Sequence, residues 1–283
     1  MKKIDLNIDD LSILDNLYSS NSKLVVNFKD REDSFLKHRY KMYIAYANKH
    51  KLSSLAPTQN FHKKRAEIFE KLYSPGLAPV KYIKKYRTKT NFHICSLCGS
   101  PASGTLDHFL PQNLYPEFSI FSKNLIPACK CNSSKSKNII LMYHPQFFDL
   151  LSVRIYFIKF KITQGVVNDL IFTSTLNHKH KYYDLVTSRL KNHILICSKG
   201  IEDFMRTKLQ SIYDTPHVYL SALKYIKITS KKQLRKIILD QIENENIKYE
   251  SVNSWDSMAL CSYLSKNVFC TLYDKIIKMQ TSI

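Results

Sequence analysis

The stretch 93-HICSLCGSPASGTLDHFLPQNLYPEFSIFSKNLIPACKCNSSKSK-137 decides how the rest of the chain is read. It holds two close cysteine pairs, Cys95/Cys98 and Cys129/Cys131. Asp107, His108 and Asn124 lie between the pairs, and Asn132, Lys135 and Lys137 follow the last cysteine. Thiolates are soft ligands, and four of them around one ion suit a structural zinc site. A C-x-x-C turn lets two thiolates reach one metal, and Gly99 eases that turn. Two clusters flanking polar residues argue against four unrelated core thiols.

The polar residues form a second layer. Asp107 offers the hard oxygen that Mg2+ or Mn2+ prefers. His108 is the side chain suited to proton transfer near neutral pH. Asn132 follows a proposed zinc cysteine, so the metal knuckle would fix its amide oxygen. A carboxylate, an imidazole and an amide oxygen can hold one hard cation beside an activated water, an arrangement suited to phosphodiester hydrolysis.

With C-x-x-C at 95 and 98, L-D-H at 106–108, N-L-I-P-x-C at 124–129 and C-N-x-x-K at 131–135, the stretch resembles the zinc-bearing HNH, or ββα-metal, endonucleases. The similarity covers roughly positions 91 to 140. It implies a general base at His108, metal ligands at Asp107 and Asn132, and structural zinc on Cys95, Cys98, Cys129 and Cys131. It gives Asn124 the residue that orients the histidine and braces the loop. Lys135 takes a phosphate-contacting position, with Lys137 beside it. The implied cofactors are structural Zn2+ and catalytic Mg2+ or Mn2+, with products bearing a 5′-phosphate and a 3′-hydroxyl. The departure from the family is the C-x-C pair, one residue shorter than usual, a spacing expected to shift Cys129 out of range and leave either a distorted site or His93 as a substitute ligand.

Composition sets the partners. Lys+Arg number 43 against 23 Asp+Glu, a formal +20, and such a field attracts polyanions, nucleic acid first. Part of the lysine excess is compositional bias, since Lys, Asn and Ile are plentiful throughout. No apolar run reaches bilayer-spanning length, and nothing resembles a lipidation signal or transit peptide. Seven cysteines, an odd count, suit a reducing cytosol better than a disulfide framework.

Along the chain, the spacing predicts helices over Asp9–Leu17, Asp30–Asn48 and Thr58–Tyr73, with Thr58 as N-cap. The second of these reads as a core helix with Lys37, Arg39 and Lys41 on a solvated face. The run from Val80 to Thr90 interleaves Lys and Arg with Tyr82 and Tyr86, a pattern for nucleic-acid contact. A short hairpin is expected around Thr105 to Leu110 and a helix from Asn132, where free N–H groups would meet a phosphate. Tyr115 and Phe118 read as packing residues, and His144 as structural. Ser152 to Thr173 reads as a hairpin with both faces partly covered. Further helices are expected over Tyr183–Cys197, Ile201–Tyr213, Lys231–Glu243 and Trp255–Lys278. His178 and His180 read as a solvated turn, and Cys197, Cys261 and Cys270 as core thiols. No P-loop, dinucleotide fingerprint or G-x-S-x-G motif is present.

The expectation is an α+β chain: a helical N-terminal region over 1–90, a central ββα-metal module with structural zinc over 91–145, and a hairpin plus helical C-terminal region over 146–283. The expected function is divalent-metal-dependent DNA cleavage in the cytoplasm. RNA as substrate and a noncatalytic zinc ribbon that binds nucleic acid or protein are the alternatives. HNH proteins with extra flanking regions resemble nuclease components of bacterial anti-phage defence, among them Septu-type systems, which suggests a partner ATPase or another defence-system protein.

Overall fold

The computed structural model describes residues 1–20, 32–58, 63–74, 78–87, 93–101, 104–131, 143–188 and 200–281. These form an α+β structure, mostly helical with two small sheets. Two compact units divide the chain: residues 3–97 with 102–149, and residues 1–2 with 98–101 and 150–283. The helical N-terminal region and most of the central stretch thus pack as one unit.

In the first unit, α1 (Asp10–Ser19) is capped by Asp9, whose Oδ1 accepts the N–H groups of Leu11 and Ser12 at 3.2 and 3.1 Å. On α2 (Glu32–Asn48), Leu36, Tyr40, Tyr43 and Ala47 are buried, so the expected apolar stripe is the core face. Tyr40 stacks on Phe121 with centroids 4.0 Å apart, and Tyr43 meets Phe118 and Phe121 edge-on. Arg39, expected on the solvated face, is instead buried. Its Nε and Nη2 donate to Glu117 Oε1 at 3.0 and 2.6 Å, and Nη2 also donates to the Ala56 carbonyl at 2.9 Å. Glu117 is itself fully buried, and a carboxylate there is tolerable only with such a partner. Thr58, expected to cap the third helix, gives its hydroxyl to the same Glu117 oxygen at 2.7 Å. That helix, α3, is described over Lys63–Tyr73, and α4 runs from Lys81 to Arg87.

β1 (Thr105–His108) pairs antiparallel with β2 (Leu125–Ala128), Asp107 opposite Ile126 and His108 opposite Leu125. A local hairpin at Thr105–Leu110 is therefore not formed. The strand's partner lies beyond the loop 109–124, which Pro111 and Pro116 keep out of regular pairing. Tyr115 and Phe118 are buried in it, as packing residues should be. The helix expected from Asn132 lies outside the described residues.

In the second unit, β3 (Tyr156–Thr163) and β4 (Val166–Ser174) make the expected hairpin. Gln164 and Gly165 turn it with φ of 53 and 82°, both left-handed, as a two-residue hairpin loop needs. Burial alternates along β3, so one face is covered rather than both. The helices are α5 (Ile201–Asp214), the single turn α6 (Pro216–Tyr219), α7 (Lys231–Tyr249), α8 (Trp255–Ser262) and α9 (Lys266–Thr281). The expected continuous helix from Trp255 breaks at residues 263–265. Ser262 Oγ accepts from Ile158 N, and the break lets the Tyr263 ring meet Phe160 edge-on while its hydroxyl reaches Leu209 O. Of Tyr183–Cys197, residues 183–188 are helical and 189–199 lie outside the described residues. Cys261 and Cys270 are half-buried rather than core thiols. His180 Nδ1 accepts the Tyr182 N–H in a turn. Gly99 sits at φ +81°, and a Cβ there would strike the backbone of Met1 and Asn253, so only glycine fits. No helix among the described residues is long and apolar enough to cross a membrane.

Asp10 Oδ1 and Oδ2 accept the Ser122 N–H and hydroxyl at 2.7 and 2.6 Å. Burial nevertheless pushes its carboxyl up to about 6, the Ser122 bonds and the Lys123 charge only partly opposing it. A carboxyl raised on folding lends stability that is complete below its unfolded value, near pH 4, and is lost as pH rises through about 6. Asp10→Asn retains a donor and an acceptor for Ser122 and does not ionise. Its stability relative to wild type should therefore rise by about 3 kcal/mol between pH 4 and 7. Urea unfolding at several pH values checks this, and parallel pH profiles for the two proteins would count against it.

Candidate metal and catalytic site

The four cysteines meet. Sγ atoms of Cys95, Cys98, Cys129 and Cys131 all lie within 4.8 Å of one another, and Cys95 and Cys131 are 3.6 Å apart. Zinc–sulfur bonds of about 2.3 Å in a tetrahedron would separate the sulfurs by about 3.8 Å, so the donor set fits one zinc ion. The shortened C-x-C closes on itself: the Cys131 N–H donates to Cys129 Sγ at 3.3 Å, and the Cys129 N–H donates to Cys95 Sγ at 3.3 Å. All four cysteines are therefore in range, and His93, the substitute ligand, is exposed outside the cluster. Ser96 ties the first knuckle to β2, its N–H and hydroxyl both donating to Pro127 O at 3.1 and 2.6 Å. Among the described residues no other group of three or more His, Cys, Asp or Glu is placed to hold a metal, and His178 and His180 belong to no such group.

Asp107 and His108 end β1. Consecutive strand residues ordinarily point to opposite faces, and here His108 is 5 % exposed while the Asp107 side chain is 39 % exposed. Asp107 Oδ1 folds back to accept the His108 N–H at 2.7 Å, which brings it within 3.8 Å of His108 Nδ1. The other ring nitrogen, Nε2, lies 2.9 Å from Ser119 O. A carbonyl oxygen only accepts, so Nε2 carries the proton and Nδ1 is the basic nitrogen of the neutral ring. The Ser119 carbonyl also fixes the ring.

The loop that carries Ser119 is held in turn by Asn124. The Asn124 side chain, fully buried, closes the loop 109–124 on itself: Oδ1 accepts the Leu110 N–H at 2.7 Å, and Nδ2 donates to Leu110 O and Phe118 O, each at 3.2 Å. Asn124 thus braces the loop that presents the Ser119 carbonyl. Behind it lies a chain that the sequence did not reveal. The Gln146 N–H donates to His144 Nδ1 at 3.2 Å, so His144 Nε2 donates to the Tyr43 hydroxyl at 2.9 Å. That hydroxyl then donates to Asn124 Oδ1 at 3.1 Å. His144 is hydrogen-bonded within the core, as expected of a structural residue, and through Tyr43 it positions the candidate Asn124.

Beside His108 lie Tyr73, which no motif marks, and Arg87, the arginine of the basic run expected to contact nucleic acid. The Tyr73 ring lies 4.4 Å from the His108 ring, and its hydroxyl donates to Leu106 O. Arg87 Cζ lies 4.1 Å from the Tyr73 ring, and Nη2 donates to Tyr73 O at 3.1 Å. Burial lifts the Tyr73 phenol above its ordinary value; the Arg87 bond and charge oppose that, and the Asp107 charge adds to it. A tyrosine ending a helix carries no motif that marks it, and the basic run that holds Arg87 gives no sign of its stacking on Tyr73. Asn132, Lys135 and Lys137 lie outside the described residues.

No family model, no curated protein and no solved structure matches this chain.

Purified protein should contain zinc, and Cys98→Ala should lower the zinc content and destabilise the fold by several kcal/mol, since metal affinity of this kind is folding energy. Elemental analysis beside thermal melts tests this. A zinc-free wild type whose melt matches that of Cys98→Ala would refute the metal site.

Proposed function

We propose that the chain is a metal-dependent HNH-type endonuclease that hydrolyses nucleic-acid phosphodiester bonds, DNA first. The observation that carries the reading is the placement of His108: Nε2–H on the Ser119 carbonyl, and Nδ1 3.8 Å from Asp107 Oδ1. A general base needs its basic nitrogen fixed and turned toward the acceptor site. In this reading Nδ1 takes the proton from a water as its oxygen attacks phosphorus, and the bond from phosphorus to the leaving oxygen breaks. Asp107, open to solvent on one side, would hold a divalent cation, with Asn132 supplying the amide oxygen that the sequence resemblance implies. Mg2+ or Mn2+ bound there would offset negative charge on the phosphoryl oxygens. The four-cysteine cluster supports the reading by anchoring the strand opposite Asp107 and His108. The formal charge of +20 suits a polyanionic substrate. A partner ATPase of a defence system belongs to the same proposal, carried by the sequence resemblance alone.

A second reading has its own support. His108 is 5 % exposed and packed on Tyr73, as in a noncatalytic zinc module whose histidine only fills space. The two readings separate in one assay. With Mg2+ or Mn2+, wild type should nick plasmid DNA, and His108→Ala should slow cleavage by about 10²- to 10⁴-fold without losing zinc. Transfer RNA offered in parallel distinguishes the RNA-directed form. Zinc and DNA binding without cleavage of either substrate would favour the noncatalytic module.

A further inference from the structure

We propose that Arg87, laid on Tyr73, is the phosphate-binding residue beside the Asp107–His108 edge, a substrate-contacting role that rests on the nuclease reading.

Tyr73 is the shared wall. One contact puts its ring 4.4 Å from the imidazole, and the other puts it 4.1 Å from the Arg87 guanidinium carbon. The guanidinium therefore lies no farther from the imidazole than those two distances together. Both helix ends are anchored: the Tyr73 hydroxyl is bound to the carbonyl of Leu106, next to Asp107, and Arg87 Nη2 to the carbonyl of Tyr73. Stacking on an aromatic face and one backbone bond hold the planar fork in place, so less entropy is lost when it meets a ligand. The N–H donors of the fork that are not used on Tyr73 remain for that ligand. Arg87 is exposed, and among the described residues no carboxylate forms an ion pair with it. A planar, permanently charged fork matches phosphate oxygens in pairs, which the lysines of the same helix, Lys84 and Lys85, cannot do.

The plain alternative is that Arg87 complements the carbonyl end of α4, a role that any cation fills. Arg87→Lys separates the two, because it keeps the charge at the helix end and loses the fork. Two measurements read the outcome. The first is binding of a short fluorescein-labelled DNA duplex to His108→Ala protein by anisotropy across salt concentrations. Adding Arg87→Ala should weaken binding and reduce the slope of log affinity against log salt by about one. The second is plasmid cleavage, where Arg87→Lys should lower kcat about 10- to 100-fold with KM changed less than about threefold. Should Arg87→Ala melt early, Arg87→Gln, which can still donate to the Tyr73 carbonyl, gives the same reading.

Unchanged salt slope and unchanged kcat in these variants, with cleavage by wild type intact, would overturn the phosphate role and leave the nuclease reading standing. A slope reduced by Arg87→Ala, together with a wild type that cleaves neither DNA nor RNA, would sink the nuclease reading and support the phosphate subsite alone.

Discussion

The candidate catalytic edge depends on one buried amide. Asn124 uses both ends of its side chain inside the loop 109–124, and the accepting oxygen is shared by the Leu110 N–H and the Tyr43 hydroxyl. A loop that crosses a protein interior carries backbone groups that water cannot reach, and each group left unmade costs about 1–3 kcal/mol. Asn124 meets that demand at the point where the chain must re-enter β2. Because the loop is fixed there, the Ser119 carbonyl has one position, and so does the imidazole that donates to it. The proton arrangement of His108 is thus decided by a residue that does not touch it.

The zinc-type cluster acts on the same strand pair from its other end. Cys129 and Cys131 follow β2 immediately, and Ser96 of the first knuckle binds the Pro127 carbonyl opposite Leu106. Pro127 has no N–H to offer the ladder, so a sheet of two four-residue strands would be marginal unsupported. The cysteine cluster at one end and the Asn124 brace at the other supply what the ladder lacks. This division of labour explains how so short a strand can hold a carboxylate and an imidazole in register.

Much of this was legible in the chain. Cysteine spacing pointed to the cluster, because ligands must come in tight turns and a metal tolerates few distances. The stripe on α2 was legible because periodic burial writes itself as periodic residues, and the hairpin within 152–173 because its residues are β-branched and aromatic; its one-sided burial was not, because the apolar run reads as continuous. What was not legible came from elsewhere in the chain or from the backbone. Arg39 looked like a surface charge because its partner is 78 residues away. Tyr43 looked like core because its ring is core, and only its hydroxyl serves Asn124. Ser119 contributes a carbonyl, which any residue could supply, so sequence carries no trace of its role. The break after Ser262 had no proline or glycine to announce it, being set by where Tyr263 and Ile158 find partners.

The Arg39–Glu117 pair has a consequence for how this chain can diverge. Replacing either residue alone strands the other's charge in the interior, a loss of roughly 3–5 kcal/mol that would approach the whole stability of many domains. Replacing both with apolar residues of similar bulk is close to neutral. The two positions are therefore separated from an uncharged version by a valley that single steps cross only from a more stable background. In related chains the pair should be found whole or missing whole, which makes it a usable marker of lineage where overall resemblance has faded.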